Sequence, residues 1–435
     1  MDQNETIPKT LVVGINPWRD EGVAHALRDI FSCWDASKLA LLYTKSDLPY
    51  TTVASRFFQI DENQVLKNLL KPWRKIGKEV ENTKNVDKSL IIEENRRYAR
   101  AHKHPTAIMP LLREFVWLLG RWRSNALKQF LLDFDPELLF IPVYPTVYMG
   151  WLQRFVIRQT GKPFVCYIGD DNYSYKSCKG ILSYLHRFWL RKNVRWLSTH
   201  CQQMFVVVEK AKEETDRIFG TDSLILAPSV DLNNKPYAPH TVSNPIKFVY
   251  TGKLVYGRDK TMALVADAIN EINDKEGIKA ELDIYSSDEP NNSIMKRLNR
   301  GASHHKGLIS RSEVDKVQRE ADVVVFVEAL EGKSANIARL SLSTKTTDYL
   351  ANGKCVLAIG KKDIAPIDYF YRNDSAIIAT NNEQIREKIQ LIIDNPTIIG
   401  SYSQKAYNCA CRNHDKTLVE SMFIETMKRV LSQEG

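Results

Sequence analysis

The stretch from Ser343 to Ile359, STKTTDYLANGKCVLAI, decides the fold. It opens with Ser343 and Thr344, two N-cap residue types whose hydroxyls can accept the first unpaired backbone N–H groups of a helix. The Asn-Gly pair at 352–353 favours the left-handed conformation that ends a helix. The apolar runs at 322–327 and 355–359 flank this helix and are typical of strands buried on both faces. Strand, loop, helix and strand in this order predict a βαβ unit of a parallel sheet.

The start of this helix is a candidate anion site. It follows the carboxyl end of a strand, where open α/β sheets bind their ligands. Free N–H groups, the positive end of the helix dipole, and the side chains of Ser343, Thr344 and Lys345 all favour a bound anion. Asp348 lies about one turn further on and can accept hydrogen bonds from a sugar hydroxyl. A capped helix that binds nothing is the alternative, and this stretch alone leaves both open.

Length and composition indicate a soluble protein of two or three domains. The chain has 435 residues, of which 43% are hydrophobic and 26% are charged. Seven scattered cysteines without the spacing of a disulfide scaffold favour a reducing compartment. The first nine residues are polar and charged, and no uncharged apolar run approaches the roughly 18 residues that a membrane-spanning helix needs. We therefore expect a cytoplasmic protein.

Strand-like and helical patterns alternate through both halves of the chain. The segment 228–245 is rich in proline and asparagine and is the best candidate for a linker. We predict one α/β domain over 1–232, with a basic and mostly helical insert over about 65–132, and a second over 233–412. The last segment, 413–435, is predicted to be a helix that packs back toward the first domain.

Four motifs of the second half occur in an order that is found in a known family. They are Tyr250-Thr251-Gly252-Lys253-Leu254-x3-Arg258, the loop GLISRSEV at 307–314, the strand ADVVV at 321–325, and Lys345-x2-Asp348-Tyr349-Leu350-Ala351-x-Gly353-Lys354. Together they resemble the nucleotide-sugar domain of GT-B glycosyltransferases, and most of all those of glycosyltransferase family 4. The resemblance implies an α/β GT-B fold, with two Rossmann-like domains that face each other across a cleft.

The resemblance also implies roles for particular residues in binding the donor. Lys253 and Arg258 match the two cations that bind the donor diphosphate in the family, next to Gly252, and the helix start at Ser343, Thr344 and Lys345 adds the anion site inferred above. Gly307 and Leu308 would border the base, and Asp348 would contact the ribose in place of the family's glutamate. The family often carries a second acidic residue eight positions earlier, where this chain has Leu340, and this departure leaves the contacts to the transferred sugar open.

Transfer from a nucleotide sugar needs charge stabilisation on the leaving diphosphate and an oriented acceptor hydroxyl. Lys253, Arg258 and the helix start at 343–345 can supply the first without a metal. Asp170 and Asp171, at a strand end of the first half, are candidates for the second. Glu328 and Glu331, near the donor loop, are further catalytic candidates, although any of these acids could instead be an ordinary capping or solvated residue.

We therefore expect a glycosyltransferase that uses a nucleotide sugar and needs no metal or other cofactor. A glycolipid or polysaccharide precursor, as in lipopolysaccharide or capsule synthesis, is the expected acceptor, and the resemblance implies a retaining reaction. A GT-B-like protein that binds a sugar nucleotide or a glycan without catalysis is the main alternative.

Three further readings of the sequence are less favoured. Asp133-Phe134-Asp135 has the form of a metal-binding D-x-D of a GT-A enzyme, but it precedes a strand instead of following one. Cys409-x-Cys411 with His414 suggests a metal site but lacks a fourth ligand nearby. The basic stretches alternate with Trp and Leu at helical spacing and form no recognised nucleic-acid module, so we expect no nucleic-acid partner.

The basic charge is concentrated in the first half of the chain. Residues 1–235 carry 34 Lys and Arg against 26 Asp and Glu, within a total net charge of +9. Aromatic residues interleave with the basic ones over 71–128, at Trp73, Phe115, Trp117 and Trp122. Arg187, Arg191 and Arg195 recur every four residues on a predicted helix that also carries aromatic residues. This pattern predicts peripheral attachment to an anionic membrane surface, and a buried helix whose arginines line its exposed edge is the alternative.

Overall fold

The computed structural model describes residues 7–20, 26–83, 108–239 and 241–433. Within it the chain divides into two compact units. The N-terminal unit comprises residues 1–206, 214–226 and 420–435, and the C-terminal unit comprises residues 207–213 and 227–419. The last segment of the chain therefore belongs to the same unit as the first.

The N-terminal unit is built on an eight-stranded sheet with the order β4-β3-β2-β1-β5-β6-β7-β8. Seven strands run parallel, and β4 pairs antiparallel with β3 at one edge. The strands are β1 Thr10–Val13, β2 Leu39–Tyr43, β3 Arg56–Gln59, β4 Lys78–Val80, β5 Leu138–Pro142, β6 Phe164–Ile168, β7 Gln203–Val206 and β8 Leu224–Ile225.

Seven α-helices are described before residue 226, together with the 3₁₀ turns Phe31–Cys33 and Ala36–Lys38. The helices are α1 Ala26–Ile30, α2 Glu62–Leu70, α3 Ile108–Leu119, α4 Asn125–Phe134, α5 Val147–Thr160, α6 Gly180–His200 and α7 Glu209–Phe219. Strand β4 falls inside the insert that the sequence predicted to be mostly helical, so that prediction is wrong for 78–80. Its three residues carry two charges, as edge strands often do. Residues 84–107 of the insert lie outside the described residues.

The C-terminal unit is built on a six-stranded parallel sheet with the order β11-β10-β9-β12-β13-β14. The strands are β9 Ile246–Thr251, β10 Ala280–Tyr285, β11 Ser303–Gly307, β12 Val323–Val327, β13 Cys355–Ile359 and β14 Ile377–Ala379. The helices are α8 Arg258–Glu276, α9 Asn292–Leu298, α10 Arg311–Glu320, α11 Thr344–Ala351, α12 Ala365–Arg372, α13 Asn382–Asp394, α14 Thr397–Asn413 and α15 Lys416–Ser432. Helix α15 continues into the N-terminal unit. A 3₁₀ turn lies at Lys333–Asn336.

The βαβ unit that the sequence predicted is confirmed. Strands β12 and β13 pair in parallel, with Val323 opposite Cys355 and Val327 opposite Ile359, and α11 connects them. All ten residues of the two strands are buried, as their continuous apolar sequences require.

The core of the N-terminal unit includes a cluster of aromatic rings around Phe423 of α15. Phe423 is fully buried, and its ring centroid lies 5.3 Å from those of Phe31 and Trp34 and 5.9 Å from that of Phe140. The rings of Phe423 and Phe205 of β7 are 5.6 Å apart. Helix α15 thus supplies a central side chain to the sheet that opens the chain.

Candidate functional site

The candidate site lies at the carboxyl edge of the sheet in the C-terminal unit. Strands β9 and β12 are parallel neighbours, with Val323 opposite Phe248, so their carboxyl ends meet at one edge of the sheet. The loop 252–257 follows β9 and leads into α8, and Glu328 follows β12 directly. The first turn of α11 reaches the same edge through Lys345.

Gly252 allows the loop backbone and Lys345 to approach each other closely. Its φ of +141° lies in the region that favours glycine. A Cβ atom at this position would collide with the side chain of Lys345, including its ammonium. The N–H of Gly252 donates to the carbonyl oxygen of Tyr285 at 2.9 Å, which fixes the loop to β10.

Lys345 is held by an aromatic ring as well as by the loop. Its Nζ lies 4.8 Å from the ring centroid of Tyr250 and donates to the Tyr250 hydroxyl at 3.4 Å. That hydroxyl in turn donates to the carbonyl oxygen of Lys253 at 2.7 Å. Removal from water and, to a smaller extent, the positive charge of Arg258 together lower the pKa of Lys345 to about 7. The amino group is therefore poised to gain a proton when an anion arrives.

Arg258 and Glu328 form a bidentate ion pair. Nε of Arg258 donates to Oε2 of Glu328 at 2.9 Å, and Nη2 donates to Oε1 at 2.6 Å. The two side chains are only 18% and 7% exposed. Burial by itself lowers the pKa of Arg258, but the carboxylate of Glu328 outweighs that effect and the pKa is raised. The pair fixes the plane of the guanidinium group.

Glu328 is itself fixed on both sides. Its N–H donates to the carbonyl oxygen of Ile359 at 2.8 Å, and its own carbonyl accepts from the buried hydroxyl of Thr261 in α8 at 2.9 Å. The predicted catalytic candidate Glu328 and the predicted diphosphate ligand Arg258 thus form one unit that joins β12 to α8. Glu331, the other acid of this loop, is exposed.

Helix α11 begins as the sequence predicted. Oγ of Ser343 accepts from the N–H of Lys345 at 3.3 Å and caps the helix, while Thr344 is exposed and Asp348 is half-buried. Further along α11, the hydroxyl of Tyr349 lies 3.3 Å from that of Thr251 at the end of β9. This contact holds α11 beside the end of β9, from which the loop 252–257 follows.

Lys253, Gly307 and Leu308 occupy the same sheet edge in more open positions. Lys253 is exposed next to Gly252, and the N–H of Leu254 after it donates to Oδ2 of Asp288 at 2.7 Å. Gly307 ends β11, two strands from β9, and Leu308 beyond it is 77% exposed. The geometry is compatible with the base-side position expected for this loop.

Position 340 is where the resembled family often carries a second acidic residue. Leu340 is fully buried, so a carboxylate there would lose its hydration without an obvious return. No role in the site was assigned to Tyr250 or to Asp288 from the sequence. Tyr250 looked like one more apolar residue of a buried strand, and nothing in the sequence near Asp288 links it to a loop 34 residues earlier.

Asp170 and Asp171 follow β6 in the N-terminal unit, whereas the donor candidates belong to the C-terminal unit. Asp171 is buried, and its carboxylate accepts from the N–H of Ser174 at 2.9 Å and from the Ser174 hydroxyl. Its carbonyl oxygen accepts from Nη1 of Arg187 at 2.9 Å. Asp171 therefore organises its own loop, while Asp170 is exposed.

The residues of the two alternative metal motifs, 133–135 and 409–414, have other roles in the structure. Phe134 ends α4 and Asp135 caps it with φ of +39°, so the D-x-D triplet closes a helix. Both ring nitrogens of His414 are hydrogen-bonded, one to the Tyr369 hydroxyl at 2.8 Å and one to the carbonyl oxygen of Pro228 at 2.7 Å. Burial lowers the pKa of His414 to about 4. Within the described ranges, no group of three His, Cys, Asp or Glu side chains is placed to hold a metal ion.

The predicted basic stripe on α6 is exposed only in part, because Arg195 is exposed whereas Arg187 and Arg191 are half-buried. Arg187 points to the 171 loop, and Arg191 is half-buried, with its guanidinium 5.9 Å from the ring centroid of Tyr175. Trp117 and Trp122, predicted as interfacial aromatics, are 0% and 1% exposed. The other two predicted aromatics, Trp73 and Phe115, are 78% and 56% exposed. Packing partners that periodicity alone does not show decide which members of each set lie inward.

Helices α3 and α6 also expose many apolar side chains. We call these the apolar platform, and its members are Met109, Leu112, Phe115, Leu118, Leu119, Ile181, Leu182, Leu185, Phe188 and Trp189. The two helices meet where Nε2 of His186 lies 3.2 Å from Oε1 of Glu114. Among the described residues, no helix is long and apolar enough to cross a membrane.

The chain is similar to solved structures over nearly its whole length. HepE from Anabaena, in complex with UDP, aligns with a TM-score of 0.61 at 10% identity, covering 97% of this chain and 99% of that one. Sucrose-phosphate synthase from Thermosynechococcus elongatus gives 0.61 at 8% identity, with 98% and 99% covered. The trehalose 6-phosphate synthase of Burkholderia multivorans gives 0.58 at 10% identity, with 98% of each chain covered. No protein-family model and no curated protein sequence matches the chain. The structural matches confirm the predicted α/β fold class, GT-B, with two Rossmann-like parallel-sheet units.

Proposed function

We propose that the protein is a GT-B glycosyltransferase that transfers a sugar from a nucleotide-sugar donor. The observation that carries this proposal is the cationic site formed by Lys345, Gly252 and the oriented guanidinium of Arg258 at one sheet edge. The structural neighbour HepE is recorded with UDP and with UDP-glucose, and a uridine diphosphate sugar is the donor that we infer first.

The site suits a diphosphate leaving group. When the bond from the anomeric carbon to the diphosphate oxygen breaks, negative charge grows on that oxygen, and fixed positive groups lower the barrier. Arg258 presents donors that Glu328 has already oriented, Lys345 adds an ammonium whose pKa rises beside phosphate, and Lys253 adds a flexible charge. The charge is thus met by side chains and the α11 terminus, without a metal. Asp348 would receive the ribose hydroxyls, and Gly307 and Leu308 would border the base.

Glu328 acts in this proposal as the residue that positions Arg258. Its carboxylate is engaged by two guanidinium hydrogen bonds, so it is poorly placed to accept a proton from an acceptor. Of the two aspartates after β6, the exposed Asp170 is the better candidate for orienting the acceptor hydroxyl, because the Asp171 carboxylate is bound to Ser174. A retaining reaction, as in family 4, remains part of the proposal.

A lipid-linked acceptor is the substrate class that the apolar platform favours. So many exposed apolar side chains on two helices that contact each other are unusual for a surface that faces only water. Placed on a membrane surface they would bring enzyme and lipid-linked acceptor to the same interface, on the cytoplasmic side where nucleotide sugars are available. A glycolipid or polysaccharide precursor is therefore the proposed acceptor.

Non-catalytic binding of a sugar nucleotide is the second candidate, and the buried Leu340 in place of an acid is the observation that favours it. Turnover separates the two. The purified chain, incubated with a panel of nucleotide sugars and a membrane lipid extract, should release nucleoside diphosphate and label the lipid fraction.

The variant Arg258→Gln should reduce this rate at least tenfold, because it removes a charge-assisted contact worth roughly 1.5–3 kcal/mol. Arg297→Gln is the matched control, since Arg297 also pairs with a carboxylate in the C-terminal unit, that of Asp267 at 2.6 Å. Tight nucleotide binding without turnover of any donor would favour the non-catalytic candidate.

A further inference from the structure

A second cationic site lies in the N-terminal unit, on the outer side of α5. It is a cavity of about 320 Å³ lined by Arg123, Trp151, Arg154, Phe155, Arg158 and Gln159. Three of these six side chains are arginines, two are aromatic, and none is acidic. Such a lining combines positive charge with a flat apolar wall.

Aromatic neighbours fix two of the arginines. The guanidinium of Arg123 lies 4.2 Å from the ring centroid of Trp122, and that of Arg154 lies 4.7 Å from the ring centroid of Trp196. The Trp122 ring in turn packs edge-to-face on Phe155, with 5.7 Å between the centroids. Stacking on a ring occupies the face of a guanidinium and leaves the N–H donors at its edge to bind a ligand.

The positive charge of this cavity has no counter-charge among the described residues. No described carboxylate pairs with Arg123, Arg154 or Arg158, and Nε of Arg154 is buried without a hydrogen-bond partner. Burial lowers the pKa of Arg154, and the nearby charge of Arg158, one helical turn away, adds to this effect. A bound anion would relieve the repulsion between the two guanidinium groups.

We propose that this cavity binds the phosphate group of a phosphate ester. Guanidinium groups match phosphate oxygens with paired, charge-assisted hydrogen bonds, which favours phosphate over a simple halide. Trp151 and Phe155 supply an apolar wall for the organic part of the ester. The ester can be a soluble metabolite or a phospholipid headgroup, and the chemistry at the arginines is the same for both.

This site is distinct from the donor site and from the acidic residues after β6. Helix α5 starts at Val147, just after the carboxyl end of β5, and ends at Thr160, just before β6 begins. Arg158, in the last turn of α5, therefore lies at the amino-terminal edge of the sheet, whereas Asp170 follows the carboxyl end of β6. The proposal holds whether or not the protein transfers sugars.

Two probes with the same headgroup chemistry test the proposal. Calorimetry with glycerol phosphate measures the soluble form, and co-sedimentation with vesicles of phosphatidylglycerol, against phosphatidylcholine, measures the lipid form. Each is applied to the wild-type chain, to Arg154→Gln/Arg158→Gln and to the control Arg121→Gln. Arg121 is exposed, lies two residues before Arg123 and does not line the cavity. Thermal melting of each variant confirms that it is folded. If the melting temperature of the double variant is lowered, Arg158→Gln alone replaces it, because Arg158 is exposed.

We expect at least one probe to bind and the double variant to weaken it at least tenfold, while Arg121→Gln changes it less than twofold. Binding of glycerol phosphate would assign the site to a soluble ester. Binding restricted to phosphatidylglycerol vesicles and weakened by the double variant would assign it to a headgroup, whereas vesicle binding that the double variant leaves unchanged would overturn the assignment. The proposal is overturned if neither probe binds, or if the control lowers binding as much as the double variant does.

Discussion

Lys345 is the residue whose chemistry depends most on its surroundings. An exposed lysine has a pKa near 10.4, but Lys345 lies against Gly252 and Tyr250 and next to Arg258, which lowers its pKa to about 7. Sequence comparison marked Lys345 as an anion ligand, yet the sequence carried no sign of this lowered pKa. The shift arises from burial and from a charge 87 positions away in the chain, and neither is visible in local spacing.

The affinity of the site for a diphosphate should therefore depend on pH. Because the anion binds the protonated ammonium, binding of UDP-glucose should be strongest below pH 7 and weaken up to about tenfold per pH unit above it. The diphosphate of UDP-glucose does not titrate in this range, so the change reports on the protein. Calorimetry between about pH 6 and pH 8.5 measures it.

Lys345→Arg provides the comparison, because an arginine stays charged throughout this range. Its affinity for UDP-glucose should vary little with pH. A wild-type affinity that stays constant across the range, or an equally steep decline in the variant, would show that Lys345 is not the titrating ligand.

At the scale of elements, the parallel βαβ units could be predicted and the surface helices could not. Buried strands such as β12 and β13 have continuous apolar sequences that allow one interpretation. Helices α3 and α6 mix basic, aromatic and aliphatic residues, so several rotations about the helix axis are compatible with the sequence. Tertiary contacts decide the rotation: the Asp171 carbonyl binds Arg187, and Trp117 stacks on Tyr148 at 4.3 Å.

Membrane attachment should accordingly depend on exposed apolar residues more than on the arginines of α6. Phe188→Ser/Trp189→Ser should lower co-sedimentation with anionic vesicles at least tenfold, since burying each of these side chains contributes roughly 1.5–3 kcal/mol. Both residues are about half exposed in the free protein, so the fold should tolerate the change.

Ile278→Ser serves as the control, because Ile278 is an exposed apolar residue of the C-terminal unit. It should leave vesicle binding unchanged. If the wild-type chain does not bind anionic vesicles, or if all three proteins bind them equally, the apolar platform is not the membrane-binding surface.

At the scale of the whole molecule, the chain's last helix completes its first unit. Phe423→Ala should destabilise the N-terminal unit by about 3–5 kcal/mol, because it removes a buried ring that contacts four others. Leu418→Ala, at an exposed position of the same helix, should cost less than about 0.5 kcal/mol. Chemical denaturation monitored by tryptophan fluorescence measures both, and equal midpoints for the two variants would refute a core role for α15.

The two-unit α/β architecture could be predicted from the alternation of patterns and from four ordered motifs. The partner of Arg258 could not, since Glu328 is 70 positions away and was itself assigned a catalytic role. Ion pairs across parallel strands depend on the strand order of the sheet, and the sequence does not state that order. The arginine cavity on α5 was also missed. Arg123, helix α5 and the Trp196 ring that packs on Arg154 come from three separate segments of the chain.

Binding of UDP and of uridine to the same protein tests the central claim most directly. If the diphosphate is held by Arg258 and Lys345, UDP should bind at least about 100-fold more tightly than uridine, since each charge-assisted contact contributes roughly 1.5–3 kcal/mol. In Arg258→Gln/Lys345→Gln this advantage should nearly vanish while the weak binding of uridine is kept. Equal affinities in the wild-type protein, or an undiminished advantage of UDP in the double variant, would contradict the assignment of the donor site.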